Sequence, residues 1–236
     1  MPGQEFRISA KNLGYLSLPD TCPRCFWAKC HLKLPYQIFP GIFSSLDSYQ
    51  KKIIGGYFNT HNSIPAWLSS VGQVKEILPS FHHSKFCHYD EETRITLSGV
   101  PDDIFGMADG TLKIIDYKTA KYSGHQDSLF PVYRTQINGY ALISEEIGLG
   151  KVAGLYLIYF EPVTDIAAED IDNLINDGGF LMQFEAKILP VDLNRDLVPP
   201  LLKQARAIYD MHEPPEGRDG CKDCRLVGEM VGSVRR

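Results

Sequence analysis

The chain has 236 residues, of which 44% are hydrophobic and 22% are charged, a composition that is ordinary for a globular protein. Its net charge of −5 argues against a protein that coats nucleic acid through bulk positive charge, but it does not exclude a nucleic-acid enzyme. No apolar run approaches the roughly 20 residues that cross a bilayer, and the polar N-terminus lacks the apolar segment of a secretory signal. We therefore expect a cytoplasmic protein, whose six cysteines are metal ligands or buried thiols rather than disulfides.

The N-terminal part of the chain is predicted to be helical. A short helix is expected within residues 20–34, and a longer one from Ser45 to Thr60, where four apolar side chains recur at roughly helical spacing. These side chains are Leu46, Tyr49, Ile53 and Tyr57. Between Pro65 and Pro79, a further short element contains Trp67 and Leu68.

The centre of the sequence predicts a β-meander. Three strands are expected, at Thr93 to Ser98, Asp103 to Ala108 and Leu112 to Tyr117. The first two are separated by Gly99-Val100-Pro101. Between the second and third, Asp109-Gly110 is a strong signal for a two-residue hairpin turn.

The C-terminal half alternates helices with strands. The expected elements are a helix from Pro131 to Ile147, a strand from Val152 to Phe160, a strand from Phe180 to Leu189 and a helix from Asp196 to Met211. A short tail carrying Cys221 and Cys224 follows. The predicted fold class is therefore α/β, with a central mixed β-sheet flanked by helices.

Two carboxylates and a lysine are predicted to meet at the open end of the central hairpin. The chain runs out and back between Asp102 and Asp116, so these two side chains can lie side by side. Asp116 and Lys118 are two residues apart on one strand and therefore point to the same face. The structural alternative makes Asp102 a turn cap, Asp116 an edge-strand charge and Lys118 a solvated side chain.

This set of groups suits metal-dependent hydrolysis of a phosphodiester. Mg²⁺ and Mn²⁺ prefer oxygen ligands, which Asp102, Asp116 and the backbone carbonyl of Tyr117 would supply. Such a metal lowers the pKa of a bound water and stabilises charge on the phosphate. Lys118 would position the attacking water or offset the developing charge.

The segment GVPDDIFGMADGTLKIIDYKTAK, residues 99–121, resembles the core of RecB-like nucleases of the PD-(D/E)XK superfamily. Those domains carry G-x-x-D, a hairpin and D-x-K-T, followed by Q-x-x-x-Y, which Gln136 and Tyr140 match on one helix face. The resemblance implies a PD-(D/E)XK nuclease core in which the helix face of Gln136 and Tyr140 contacts the substrate or orders the catalytic end of the site. The structural alternative makes Tyr140 a core residue and Gln136 a solvated one.

Many members of that superfamily also place a metal-binding histidine on an upstream helix. His61, which follows the helix predicted at 45–60, is the candidate here, and His82 and His83 are weaker ones. A surface histidine is the alternative reading. In that case the resemblance implies that the two aspartates and the Tyr117 carbonyl hold the metal alone.

Two C-x-x-C pairs lie near the two ends of the chain, Cys22 with Cys25 and Cys221 with Cys224. Each pair can bind one metal centre, so together they predict a four-thiolate site that fastens the two ends to each other. The alternative is that these cysteines are independent reduced thiols. Cys87 lies outside both pairs and is expected to be an ordinary thiol.

The segment TCPRCFW, residues 21–27, resembles the N-terminal stretch of iron–sulfur RecB-like nucleases, which include AddB-type domains and CRISPR-associated exonucleases. Those proteins use one N-terminal and three C-terminal cysteines, so this chain needs a second N-terminal ligand. Cys25 fits best, and Cys30 is the alternative. The resemblance implies a [4Fe–4S] cluster, with Zn²⁺ as the alternative, because both accept four cysteines.

The resemblance implies one RecB-like nuclease domain over residues 1–236. It would consist of a helical front (20–90), a catalytic core (91–190) and a closing helix with the cysteine tail (191–236). The implied activity is that of a Mg²⁺- or Mn²⁺-dependent DNA exonuclease that prefers single-stranded regions or free ends and works with DNA-processing proteins. The alternatives are a nucleic-acid-binding module with an inactive core and a zinc-clasped scaffold for protein partners.

Overall fold

The computed structural model describes residues 5–32, 40–122 and 127–234, with side chains described up to residue 229. Its helices and strands are β1 (Phe6–Ser9), α1 (Ala10–Gly14), α2 (Pro23–His31), α3 (Gly41–His61), β2 (Val74–Ile77), β3 (Cys87–Asp90), β4 (Ile95–Ser98), β5 (Asp103–Met107), β6 (Leu112–Lys118), α4 (Phe130–Glu146), β7 (Val152–Pro162), α5 (Ile171–Leu174), β8 (Ile175–Asn176), β9 (Gly179–Phe180), β10 (Phe184–Val191), α6 (Val198–Tyr209) and α7 (Lys222–Val234). Short 3₁₀ helices lie at Tyr15–Ser17, Ala66–Val71 and Ala168–Asp170.

A five-stranded mixed sheet of order β10-β7-β6-β5-β2 forms the centre of the protein. β6 and β7 pair in parallel and are joined through α4, whereas the other neighbouring strands are antiparallel. A smaller sheet of order β1-β4-β3 lies beside it, with β1 parallel to β4. The predicted mixed α/β fold with a central mixed sheet flanked by helices is thereby confirmed.

Helices cover both faces of the central sheet, and alternate residues of β6 serve the two cores. Ile114 packs into the larger core, to which α1, α4 and α6 contribute, whereas Ile115 packs into a second core with Ile54 and Phe58 of α3. Both isoleucines are fully buried, which stabilises the fold by about 1.5–3 kcal/mol each. The strand thus carries even-numbered side chains towards α4 and odd-numbered ones towards α3.

The predicted hairpin between β5 and β6 is present, but its loop is one residue longer than expected. The Met107 amide donates to the Thr111 carbonyl at 2.8 Å, so three residues form the loop, and Gly110 takes a left-handed conformation with φ of +81°. A three-residue loop of this kind ends on a left-handed residue that adds a bulge. Asp109 stabilises it by accepting from the amide and hydroxyl of Thr111.

Helix α3 was predicted correctly, but the apolar side chains whose spacing indicated the helix do not face the core. Tyr49, Ile53 and Tyr57 are 59%, 49% and 37% exposed, and the buried positions are one residue further along the helix. These buried positions are Gln50, Ile54 and Phe58.

Two predictions for the C-terminal half were wrong in detail. The strand expected from Phe180 to Leu189 is interrupted, so that β10 begins at Phe184 and runs to Val191. The segment expected to be a tail forms α7 from Lys222 onward. Across the three described ranges, no helix combines the length and the apolar character needed to span a bilayer.

Candidate active site and metal centre

The register of β5 and β6 brings the two predicted aspartates together. Asp103 pairs with Ile115 and Ile104 with Ile114, so the same register continued by one residue sets Asp102 opposite Asp116. Asp102 immediately precedes β5, and its Oδ2 accepts a hydrogen bond of 2.6 Å from the Tyr117 amide. The two carboxylates therefore lie side by side at the open end of the β5–β6 hairpin, as the sequence predicted.

Asp116 and Lys118 share a face of β6 and form an ion pair. Lys118 Nζ lies 2.5 Å from Asp116 Oδ2, and the two side chains are only 12% and 5% exposed. The same ammonium donates to Gln136 Oε1 at 3.1 Å and lies 4.1 Å from the ring centroid of Tyr133. Helix α4 therefore fixes the lysine from above the sheet.

The buried Asp116 carboxylate is incompletely satisfied. Its Oδ1 accepts a long bond of 3.4 Å from Gln136 Nε2. Its Oδ2 lies 2.5 Å from the Lys118 ammonium. The lysine therefore compensates one oxygen of the carboxylate, whereas Gln136 holds the other only weakly.

Burial and the nearby charge of Asp116 raise the pKa of Asp102 to about 7. Lys51 of α3 acts in the opposite direction, since its Nζ lies 2.8 Å from Asp102 Oδ1. Lys51 also lies 3.0 Å from Asp47 Oδ2, so it bridges two carboxylates. Lys51 is therefore the cation that pairs with Asp102 in this structure.

Three contacts at this site were not anticipated from the sequence. The first is the ion pair of Lys51 with Asp102. Gln50, its neighbour on α3, donates to the Thr119 hydroxyl at 3.0 Å, and the Tyr117 hydroxyl donates to Asp103. Burial raises the pKa of Asp103 to about 6, although the Tyr117 hydrogen bond opposes the shift.

Gln136 and Tyr140 lie at the site but are buried, at 7% and 5% exposure. Gln136 Nε2 donates to the Tyr140 hydroxyl at 2.8 Å, while its Oε1 accepts from Lys118. Gln136 therefore orients Lys118, and Tyr140 supports Gln136, which agrees with the expectation that this helix face orders the catalytic end. Contact of either residue with a substrate stays a prediction.

The glycine of the G-x-x-D motif has a packing role here. Gly99 has φ of +156°, and a Cβ atom placed on it would collide with the ring of Tyr140. The motif therefore lets the chain pass closely over Tyr140 before it reaches Asp102. This close approach links the first motif to the Gln136–Tyr140 pair.

None of the three candidate histidines lies at the carboxylates. His61 is exposed, stacks on Tyr57 and has Nδ1 3.0 Å from the Tyr57 carbonyl oxygen. It lies ten residues beyond Lys51, which is about 15 Å along the axis of α3. His82 and His83 are exposed and stack on each other. The expected histidine ligand is therefore corrected: α3 presents Lys51 to Asp102 instead.

The chemistry of the two aspartates fits a hard divalent cation. Their donor atoms are carboxylate oxygens, which Mg²⁺ and Mn²⁺ prefer. Among the described residues, no histidine, cysteine or further acidic side chain joins the two aspartates to form a three-ligand metal site. A cation here would therefore rely on water and on backbone oxygen, for which the Tyr117 carbonyl remains the predicted source.

The predicted four-cysteine group is present. The ligand atoms of Cys22, Cys25, Cys221 and Cys224 all lie within 4.8 Å of one another, which is close enough to share a metal. Three of the sulfur–sulfur separations are 3.5 Å for Cys22–Cys224, 3.5 Å for Cys25–Cys224 and 3.6 Å for Cys25–Cys221. The site joins the start of α2 to the start of α7, as predicted.

The surroundings of the cysteine group favour thiolate at Cys22. Although burial raises the pKa of Cys22, hydrogen bonds from the backbone of Arg218 and Cys25 and from neighbouring thiols lower it to about 6. Burial instead raises the pKa of Cys25 and Cys224. The Arg218 amide lies 3.3 Å from the Cys22 sulfur. Cys30 packs against the larger core, and Cys25 rather than Cys30 completes the group. Cys87 stands apart and donates to the Ser84 carbonyl.

Comparisons with known proteins give no family for this chain. A scan against protein-family models finds no match, and neither does a search of the curated proteins. The chain is similar to a solved structure described as "Crystal structure of SSO0001", with a TM-score of 0.46 and 13% sequence identity. That similarity covers 91% of this chain and 81% of the other, and a likeness this distant carries no argument about function.

Proposed function

We propose that this protein is a Mg²⁺- or Mn²⁺-dependent nuclease of the PD-(D/E)XK type that hydrolyses phosphodiester bonds in DNA with single-stranded regions or free ends. The observation that carries the proposal is the placement of the Asp102 and Asp116 carboxylates opposite each other on neighbouring strands, with Lys118 on the face of Asp116. Two carboxylates this close offer the oxygen ligands that a hard divalent ion prefers.

In this proposal the two aspartates hold the divalent ion, and Lys118 works beside them. A bound metal would activate water and stabilise charge on the phosphate. The Lys118 ammonium donates to Gln136 Oε1 at 3.1 Å, and this hydrogen bond holds the lysine beside Asp116 rather than in solvent. From that place it can orient a water or neutralise charge on a phosphate oxygen.

The cysteine group is proposed to bind one tetrahedral ion, which we assign as Zn²⁺ rather than [4Fe–4S]. In a tetrahedron with metal–sulfur bonds of about 2.3 Å, the sulfur atoms lie about 3.8 Å apart. The separations of 3.5–3.6 Å are close to that value. A cubane cluster carries one cysteine on each iron and needs its sulfur atoms further apart, so the spacing favours the single ion over the cluster that the resemblance implies.

End-labelled DNA tests the proposed activity. Single-stranded and blunt duplex substrates are incubated with the purified protein and Mg²⁺, Mn²⁺ or EDTA. The proposal expects cleavage with either metal, none with EDTA, and faster cleavage of the single strand. No cleavage of any substrate by folded, zinc-loaded protein would overturn it.

A second candidate function is supported by the Lys51–Asp102 contact. At 2.8 Å this ion pair compensates Asp102 without a metal, as expected of a nucleic-acid-binding module whose core no longer catalyses. The two candidates differ in metal binding. A nuclease binds Mn²⁺ at the aspartates in competition with Lys51, whereas an inactive module binds DNA equally well in EDTA and in Mn²⁺ and leaves it intact.

A further inference from the structure

An apolar groove lies on the α3 side of the central sheet, outside the cluster described above. Its volume is about 440 Å³, which is within the range of small-molecule sites. Its walls come from α3 and from the region where β10 begins, and include Tyr49, Ile53, Trp67, Met182 and Phe184. Among the described side chains that line it, none carries a charge.

Aromatic side chains are displayed in this groove rather than buried in it. Trp67 is 43% exposed and forms a T-shaped pair with Phe160, with the ring centroids 5.9 Å apart. Tyr49, also in the lining, is 59% exposed. Rigid aromatic rings at this exposure offer flat surfaces on which a planar heterocycle can stack.

The groove is linked to the candidate active site through one turn of α3. Gln50 lines it and also hydrogen-bonds the Thr119 hydroxyl, next in sequence to Lys118. The residue after Gln50 on α3 is Lys51, which contacts Asp102 at 2.8 Å. A molecule in the groove therefore lies against the same helix turn that reaches the aspartates.

A shallow recess on the surface of α3 shares Tyr49 with the groove. Its lining also includes Ser44, Ser48 and Lys52, all exposed side chains of α3. Hydroxyl donors and one ammonium suit a phosphodiester anion. An apolar aromatic groove beside such a recess matches a nucleotide, with its base in the groove and its phosphate in the recess.

We propose that this groove binds an unstacked base of single-stranded DNA while the recess around Lys52 binds the neighbouring phosphate. The inference rests on the proposed nuclease function, whose substrate it would hold beside the helix turn that carries Lys51. It also gives a reason for the single-strand preference, because a base within a duplex is stacked and paired and cannot enter the groove.

Binding of labelled oligonucleotides in EDTA tests the groove without relying on cleavage. The probes are a thymidine oligonucleotide of about ten residues and an abasic oligonucleotide of the same length. Trp67→Ala and Tyr49→Ala should each weaken binding of the thymidine probe by about 5- to 100-fold and leave the abasic probe unchanged. Lys52→Met should weaken both probes alike, because it removes a phosphate contact.

Tyr89→Ala is the matched control, since this tyrosine is 40% exposed and belongs to the smaller sheet. It should leave both affinities unchanged. Equal affinity of the wild-type protein for the two probes would overturn the proposal, even if the protein cleaves DNA. A preference for thymidine that Trp67→Ala removes would support it, even if no cleavage is found.

Self-association is the competing use of an apolar groove. Sedimentation of the wild-type protein and of Trp67→Ala at the concentrations of the binding assay distinguishes the two uses. The proposal expects a monomer in both cases. A dimer that the substitution converts to a monomer would overturn it.

Discussion

Lys51 Nζ lies 2.8 Å from Asp102 Oδ1, and this ion pair ties helix α3 to the start of β5. The same ammonium meets Asp47 one turn earlier on the helix, at 3.0 Å. A divalent cation that binds the aspartates must therefore displace Lys51 or share Asp102 with it. This competition makes Lys51 a measurable part of the proposed metal site.

We expect Lys51→Met to tighten Mn²⁺ binding at pH 8 by at least about threefold, because it removes a positive charge a few ångströms from the metal. Titration calorimetry with protein already loaded at the cysteine site measures the effect. Lys52→Met, an exposed neighbour on the same helix, should leave the Mn²⁺ affinity within about twofold, since its charge is screened by solvent. Weaker Mn²⁺ binding by Lys51→Met would show instead that the lysine supports the site.

Stability of the metal-free protein should fall as the pH rises from about 4 towards 8. Burial raises the pKa of Asp102 to about 7 and that of Asp103 to about 6, from 3.8. A carboxyl whose pKa is raised on folding stabilises the protein while it is protonated, and that contribution disappears as the pH passes its folded pKa.

Asp102→Asn should flatten this pH dependence in EDTA and make the protein more stable than wild type at pH 8, because an uncharged side chain replaces a buried charge. Thermal melting across the pH range measures it. Asp47→Asn, which alters a half-exposed partner of the same lysine, should retain the wild-type slope. An Asp102→Asn melting curve that follows wild type at every pH would refute this explanation.

Gly99→Ala should destabilise the protein by about 2 kcal/mol or more, because the new methyl group meets the Tyr140 ring and the backbone conformation is unfavourable for alanine. Denaturant unfolding at constant m-value measures the change. Gly56→Ala is the matched control, since no atom lies within 4 Å of its new Cβ on the exposed side of α3. Replacing that helical glycine should stabilise the protein by about 0.5–1 kcal/mol. Equal effects of the two substitutions would contradict the packing role of Gly99.

Cys221→Ser should lower the melting temperature by more than about 10 °C and reduce bound zinc well below one equivalent, because metal binding at a site joining the chain's two ends contributes to folding. Metal analysis and calorimetry together measure this. Cys87→Ser, at a thiol outside the group, should shift melting by less than about 2 °C. Folded wild-type protein that contains less than half an equivalent of any metal would refute the zinc assignment.

Much of the candidate site was predictable because it depends on local rules. The strand alternation of Asp116 and Lys118 and the out-and-back path to Asp102 follow from the two-residue period and a strong turn signal. The C-x-x-C spacing likewise indicated the cysteine group. These inferences needed no knowledge of how distant elements pack.

What could not be predicted depends on the rotation of α3 about its axis. The spacing of Tyr49, Ile53 and Tyr57 indicates a helix, but the next stripe, with Gln50, is equally regular and is the one that packs on the sheet. That rotation decides that Lys51 meets Asp102 and that an aromatic stripe remains exposed. Because a polar Gln50 takes a buried position through its bond to Thr119, hydrophobicity alone points to the wrong face.

The most direct test of the proposed function compares Lys118→Met with wild type in single-turnover cleavage of labelled single-stranded DNA with Mn²⁺. Methionine preserves the length of the buried side chain but removes the ammonium that Gln136 positions beside Asp116. The proposal predicts a rate at least about 100-fold lower, with Mn²⁺ still bound and the fold intact. Cleavage by Lys118→Met at the wild-type rate would contradict it.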